Sequence, residues 1–382
     1  MKLLPLFIFW CLWFLNYSTR SAFSPILPLI EDNLSLSHGQ AGGFFTSLSI
    51  GFSLSLLLAG RFASLWGYKR TVVIGFVGIG LVFLGIQWVE NYTTFHILFF
   101  LLGFTTGTYI PSILPIITET YDSRHWGKAI GIHDSAASFS IFAIPILVTF
   151  GLHFLSWRRL LLILGIAALL LPIYFWKISI EPKQETSRYG GRYIDLFKRK
   201  TIWIMGLLLT FASASSIGVY AILPLYLIKE KGIDFGYANT LFGISRIGGV
   251  FVSILSGYLT DRYGYRKMIM LSLCATGLST IGLSLASTLP LILITLTLQA
   301  TLSIAFFPAG LAAISKLTPL SERSMVIGVI LSIGVIFGMG STPFLLGVTA
   351  DHFSFQIGIF WLGILTTLSS LLTRFLEEKQ ES

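Results

Sequence analysis

The chain has 382 residues, of which 54% are hydrophobic and only 11% charged, and its mean hydropathy is +0.81. Soluble domains carry about 25% charged residues, so this composition excludes a water-soluble globular protein and points to one that crosses a membrane many times. The net charge of +9 does not mark a nucleic-acid binder, because the bases fall in short breaks between apolar runs instead of on one soluble face.

A bilayer core is crossed by about 20 apolar residues in helical form. By that measure the chain contains twelve predicted helices, at 4–29, 40–62, 70–89, 93–117, 128–150 and 157–177, then 201–227, 237–259, 267–288, 290–315, 324–348 and 354–376. The expected fold is an all-α integral membrane protein with two pseudo-symmetric six-helix bundles, 1–177 and 201–382, joined by a polar, basic linker over 178–200 that holds Pro182 and Gly190-Gly191. The first run follows Lys2 and could pass for a secretory leader ending at Ser21-Ala22. Its Leu27-Pro28-Leu29 is echoed by Leu223-Pro224-Leu225, so a retained first span is expected. Cys11 and Cys274 both lie in apolar runs, with neither zinc spacing nor a disulfide framework.

Lysine and arginine set the orientation. With the N-terminus inside, twenty bases fall on the inner side, including the seven from Lys177 to Lys200, and four outside: Arg158, Arg159, Lys229 and Lys231. Both termini are therefore expected to be cytoplasmic, in a plasma membrane of the bacterial inner-membrane kind.

The halves repeat. Gly60–Arg70 reads Gly-Arg-Phe-Ala-Ser-Leu-Trp-Gly-Tyr-Lys-Arg, and Gly257–Lys267 reads Gly-Tyr-Leu-Thr-Asp-Arg-Tyr-Gly-Tyr-Arg-Lys, 197 positions later. At the same offset Ala41 matches Ala238, Phe45 matches Phe242, Pro111 matches Pro308 and Gly131 matches Gly328. One residue further on, Pro145 matches Pro343, Ser156 matches Ser354 and Gly165 matches Gly363. Glycines suit tight turns, and bases suit the cytoplasmic edge. In the second copy Asp261 is expected to pair with Arg262, Arg266 or helix-end amides; in the first, Ser64 stands at that place. Gly60, Gly67, Lys69, Arg70, Gly257, Asp261, Arg262, Gly264, Arg266 and Lys267 are read as gating loops.

Both copies resemble the loop signature of the major facilitator superfamily, Gly-x-Leu-Ala-Asp-Arg-x-Gly-Arg-Lys, which lies between its second and third and its eighth and ninth helices. The resemblance implies two parallel six-helix halves with substrate bound near the midplane. Asn16-Tyr17-Ser18-Thr19-Arg20 is similar to the first-helix signature Asn-Tyr-x-Asp-Arg of the anion:cation symporter family. In that family the arginine is associated with carboxylate substrates and the aspartate with proton coupling; here Thr19 replaces the aspartate. Gly103 to Pro111, then Arg124, Gly127, Gly131 and Ser135, then Pro145 and Ser156-Trp157-Arg158 resemble the same family's pattern through helices four to six.

Charges inside apolar helices are costly and face a cavity or a partner. Arg20 lies roughly 13 Å from the outer end of its predicted helix and Arg246 roughly 12 Å from that of its own, at 1.5 Å per residue. A guanidinium grips a carboxylate with two parallel hydrogen bonds, so both are read as substrate-binding; the competing reading of each is a structural arginine bonded to neighbouring helices. Asp134 and His133, which can share or relay its proton, are the candidate pair for proton coupling, against a salt bridge or helix-end contact near the inner gate. Asn16, Tyr17, Tyr109, Gln299 and Tyr220 are polar groups placed to orient a substrate. Glu119 is expected to meet Arg124 or Lys128. Trp66, Trp88, Trp126 and Trp157 are expected at the headgroups, and the glycine-rich runs of helices two, eight and eleven at close helix crossings.

No metalloprotease, nucleophile-elbow or phosphate-loop motif occurs, so no enzyme, cofactor or metal is expected. The reading that results is a secondary transporter of a small organic anion, proton-coupled or coupled to another ion, working by alternating access as a monomer in the lipid bilayer. The alternative in the same fold is a proton-antiporting exporter of drugs or metabolites. A receptor or membrane enzyme is the remaining class, and the chain offers neither a signalling domain nor a catalytic cluster for it.

Overall fold

A computed structural model describes residues 3–182, 196–318 and 322–376. Residues 183–195, which include Gly190-Gly191 of the expected linker, lie outside the described residues. Every regular element among the described residues is helical. In hydrocarbon each backbone donor and acceptor must be paired within the segment, which a helix alone achieves without a closed barrel.

Ten helices are long and apolar enough to cross a membrane among the described residues. The other two expected spans are helical but interrupted. The first divides into Leu3–Ser21 and Phe23–Leu34, and the eighth into Phe235–Ile244 and Gly248–Tyr263. Wide π-helical turns open at Ala214–Gly218, Tyr226–Glu230 and Gly334–Gly340. Such turns release carbonyls from the regular ladder and gather at functional sites.

The chain forms two compact units. One comprises 1–35, 47–187 and 234–243, the other 36–46, 188–233 and 244–382. The sequence repeat has a physical counterpart in each. Ser156 and Ser354 are both N-caps, accepting from the amides of Arg159 and Ile357. In the first unit Gly80 lies against the Gly165 carbonyl; in the second Gly277 lies against that of Gly363, so the same helix crossing is built twice. Gly42, Gly51, Gly243, Gly338 and Gly347, in helices two, eight and eleven, each approach a backbone carbonyl within their own unit, as the glycine-rich runs imply.

The two loop copies diverge in chemistry while sharing a backbone. Gly67 and Gly264 both have φ +84°, where a side chain is strained. At the first, the Glu181 carboxylate accepts from the amides of Tyr68 (2.7 Å) and Lys69 (3.0 Å), capping the helix Tyr68–Ile86. The Lys69 ammonium returns to the Ser179 carbonyl at 3.0 Å and lies 4.5 Å over Trp176. An acid 113 residues away thus occupies the end of the helix that Ser64 leaves uncharged. In the second copy the expected ion pair of Asp261 is not formed. Arg262 lies over Tyr263 at 5.3 Å and Arg266 donates to the Arg374 carbonyl at 3.1 Å, so both cations are engaged elsewhere.

These contacts separate two otherwise similar substitutions. A Cβ on Gly67 would meet Glu181 Oε1 at 2.8 Å, whereas one on Gly264 meets nothing within 4 Å. Gly264→Ala is expected to cost about 1–3 kcal/mol from backbone strain alone. Gly67→Ala should cost the same and lose the cap as well, about 1 kcal/mol more. Thermal unfolding of the purified variants checks this, and equal midpoints would remove the role assigned to Glu181.

Two further expectations are corrected. Arg124 pairs with Asp122 at 3.5 Å, on an exposed turn, instead of with Glu119. Trp157, the first residue of its helix, is buried with its ring 6.4 Å from Phe95 and 4.4 Å from the Arg158 guanidinium, so it packs against neighbouring side chains instead of standing open to lipid. Arg158 itself donates to the carbonyls of Ile86 (2.6 Å) and Val89 (2.8 Å), closing the C-terminal end of the helix Tyr68–Ile86.

Candidate functional site

The signature 16–20 occupies the last turns of Leu3–Ser21, immediately before the break at Ala22. Long helical side chains lean toward their own N-terminus, and Arg20 does so. Its guanidinium carbon lies 4.7 Å from the Tyr17 ring, 5.9 Å from Trp13 and 4.9 Å from Phe52 on the next long helix. Rings stack on the faces of a guanidinium and leave its edge of N–H donors free. Nη2 reaches Asn16 Oδ1 at a long 3.5 Å, and the buried Nε has no hydrogen-bond partner. Among the described residues no carboxylate forms an ion pair with it.

The neighbouring hydroxyls are already committed. Thr19, standing where the symporter pattern has aspartate, is fully buried and donates to the Asn16 carbonyl at 2.7 Å. A hydroxyl bonded to its own helix neither carries a charge nor exchanges a proton at neutral pH. Asn16 Nδ2 donates to the Thr106 carbonyl at 3.3 Å.

Below Arg20 lies a near-parallel stack. Trp13 and Tyr109 are 5.4 Å apart at 11°, and His133 lies 5.8 Å from each. The Tyr109 hydroxyl donates to the Phe9 carbonyl at 3.1 Å and meets His133 Nε2 at 3.1 Å. With its single proton spent on Phe9, the hydroxyl is left to accept from Nε2. His133 is 1% exposed, while the adjacent Asp134 is exposed and lies beside the Trp13 indole. Neighbours on a helix point about 100° apart, and both candidates flank Trp13, His133 buried against its ring and Asp134 exposed beside it.

In the other unit Arg246 sits in the three-residue break between Ile244 and Gly248, over the Tyr220 ring at 4.7 Å. It is 9% exposed. Gln299 is fully buried and donates to the Ser215 carbonyl at 2.5 Å, inside the π-helical turn, while its Oε1 has no partner. Ser215 Oγ meets Thr366 Oγ1 at 2.8 Å. Each unit thus holds one arginine against a tyrosine, with a buried amide in the same unit. Asn16, Tyr17 and Arg20 come together, as do Tyr109 and His133.

Sequence reading missed Trp13 and Phe52. Trp13 was accessible to it, being seven residues before Arg20 and so on the same helical face. Phe52 carried no signal, since it is one of 32 phenylalanines in an apolar chain.

The chain is 25% identical over 367 residues to an uncharacterized MFS-type transporter, YuxJ, of Bacillus subtilis (strain 168), covering 90% of this chain and 91% of that one. It is 25% identical over 268 residues to the hexuronate transporter of the same organism, covering 66% and 63%. Its fold is similar to that of a bacterial homologue of the human lysosomal transporter Spinster, with a TM-score of 0.83 over 97% of each chain at 14% identity. That likeness concerns the fold alone. The sequence profile described as the Major Facilitator Superfamily matches residues 9–259 and 214–382, which together run from the first helix to the end of the chain. The chain belongs to the major facilitator superfamily, whose members are multi-pass membrane transporters and not enzymes.

Proposed function

We propose that this protein is a secondary transporter of a small organic anion bearing a carboxylate, of the anion:cation symporter type, with both termini on the cytoplasmic side of a bacterial inner membrane. The observation that carries the reading is Arg20, a guanidinium within the first helix, held by rings on its faces and without a carboxylate ion-pair partner among the described residues. A cation kept in a low-dielectric site without a counter-charge is costly, and an anionic substrate supplies one. Arg246 is the second anion-recognising group. Kinship with a hexuronate transporter supports an organic acid as cargo.

The test is uptake of labelled carboxylates by proteoliposomes, with Arg20→Ala and Arg246→Ala beside the wild type. Loss of saturable uptake in both variants, with their helicity and monodispersity retained, is the expected result. Normal uptake in either folded variant would return that arginine to a structural role, and uptake of cationic drugs in place of acids would favour the exporter.

Coupling is assigned to Asp134, the exposed carboxylate of the helix Trp126–Leu152. Asp134→Asn is expected to abolish accumulation against a gradient while leaving exchange of labelled for unlabelled substrate intact. Exchange needs no net proton movement, so the two assays separate binding from coupling. Undiminished accumulation by the variant would rule Asp134 out.

A further inference from the structure

Trp10, Phe14 and Tyr17 follow one another at the i, i+4, i+7 spacing of a single helix face, and all three are partly exposed. Trp10 and Phe14 are stacked at 5.5 Å and 3°, and each lies 5.8 Å from Phe139, which is 48% exposed. Exposed aromatic residues on a membrane protein ordinarily face lipid. This wall does not, because charged and polar groups lie along it. Trp10 Nε1 donates to Ser135 Oγ at 3.1 Å, the carboxylate of Asp134 is exposed one residue before, and Arg20 continues the Trp10–Tyr17 face. Charged groups within apolar helices face a cavity or a partner, and here Arg20 and Asp134, on neighbouring helices, flank the rings.

What that face lacks is equally specific. A sugar acid has several hydroxyl groups, each of which needs a donor or acceptor when it leaves water. Of the hydroxyls beside Arg20, the three buried ones have no proton to give. Ser18 Oγ donates to the Phe14 carbonyl at 2.6 Å and Ser21 Oγ to that of Tyr17 at 3.1 Å. Both hydroxyls also share Ser140 Oγ, at 3.0 and 3.2 Å, and Thr19 is bonded to its own helix. The face therefore offers one cation, the Tyr17 hydroxyl and a run of flat rings, few groups with which to recognise a polyol.

Resting on the organic-anion reading, we propose that the cargo is an aromatic carboxylate, with its carboxylate on the edge of Arg20 and its ring on the wall of Tyr17, Phe14 and Phe139. Side chains that lean toward the helix N-terminus bring the Arg20 guanidinium down to the level of Trp13 and Tyr17. A planar acid held there extends its ring toward Phe14, one helical turn further down.

The experiment uses the full chain in proteoliposomes with labelled benzoate, cyclohexanecarboxylate and glucuronate. The first two share size and charge and differ in aromaticity; the third adds hydroxyls. Benzoate uptake is expected to be saturable and dependent on Arg20, with a KM roughly tenfold below that of cyclohexanecarboxylate from ring–ring contacts. Glucuronate in large excess should not compete. Phe14→Leu and Phe139→Leu keep an apolar surface but remove the rings, and should collapse the preference for benzoate over its saturated counterpart. A general loss of folding would instead lower uptake of both alike, which the ratio detects. Arg20-dependent uptake of glucuronate but not benzoate would overturn this inference and leave the organic-anion reading standing. An unchanged benzoate preference in both variants would also overturn it. Failure to carry any of the three acids would overturn both.

Discussion

Replacing Gly103 by alanine is expected to destabilise this protein by about 3 kcal/mol, at the upper end of what overpacking costs. The added Cβ would strike the carbonyl oxygen of Leu48 and stand 2.9 Å from the Phe52 amide nitrogen. From the opposite helix, a Cβ on Gly51 would strike the Phe100 carbonyl and stand 2.9 Å from the Phe104 amide. The helices His38–Trp66 and Tyr92–Gly107 therefore cross backbone against backbone, with a glycine on each side of the contact. A side chain in the way could rotate aside; two helical backbones must move apart along their length, opening gaps on both sides of the crossing. In a bilayer, where lipid tails are as apolar as leucine, such close packing is much of what joins one helix to the next. Gly131→Ala is the control. Nothing lies within 4 Å of its Cβ, and alanine there should stabilise by about 0.5–1 kcal/mol through helix propensity. Thermal unfolding of detergent-purified protein measures both. A Gly103→Ala midpoint at or above the wild type would show that the crossing is looser than these distances state.

The fold was legible because hydrocarbon leaves few choices. A composition so poor in charge permits only spanning helices, and the 197-residue offset shows that the second half repeats the first. The repeat even marks the right atoms: Ser156 and Ser354 as caps, Gly67 and Gly264 at one positive φ, Gly165 and Gly363 at one crossing. What composition hides is where a span breaks. Arg246 lies in such a break, and its repeat partner Ser49 lies in an unbroken helix. Long-range partners are hidden too. Nothing near Ser64 announces that Glu181 caps the following helix, since the two meet only once the bundle is folded. At the site, a family pattern named Arg20, but its surroundings had to be seen. The pattern's aspartate position turned out to hold a self-bonded threonine hydroxyl, and the aromatic faces that position the cation came from residues outside the motif.

Those faces make Arg20→Lys the decisive substitution. Lysine keeps the charge, so if Arg20 mattered only as a positive point in the first helix, uptake would survive. The contacts argue otherwise. The guanidinium lies over two rings within 5 Å, Tyr17 and Phe52. Each contact of that kind is worth about 0.5–2 kcal/mol in a desolvated setting. A planar ion held on its faces presents a fixed fork of donors at its edge, matched to a carboxylate. An ammonium is compact and strongly hydrated, and it offers a single point instead of a fork. Losing one charge-assisted hydrogen bond costs about 1.5–3 kcal/mol, and with part of the ring contact the total corresponds to roughly a hundredfold in Vmax/KM. Arg20→Lys is therefore expected to fall nearly as far as Arg20→Ala while remaining folded. If instead it transports within a few-fold of the wild type, charge alone suffices and the stacked geometry around Arg20 is packing. If lysine restores binding of the acid but not its transport, the fork is needed in the step that moves the substrate and not in the one that captures it. Equilibrium binding measured beside initial uptake rates separates these outcomes.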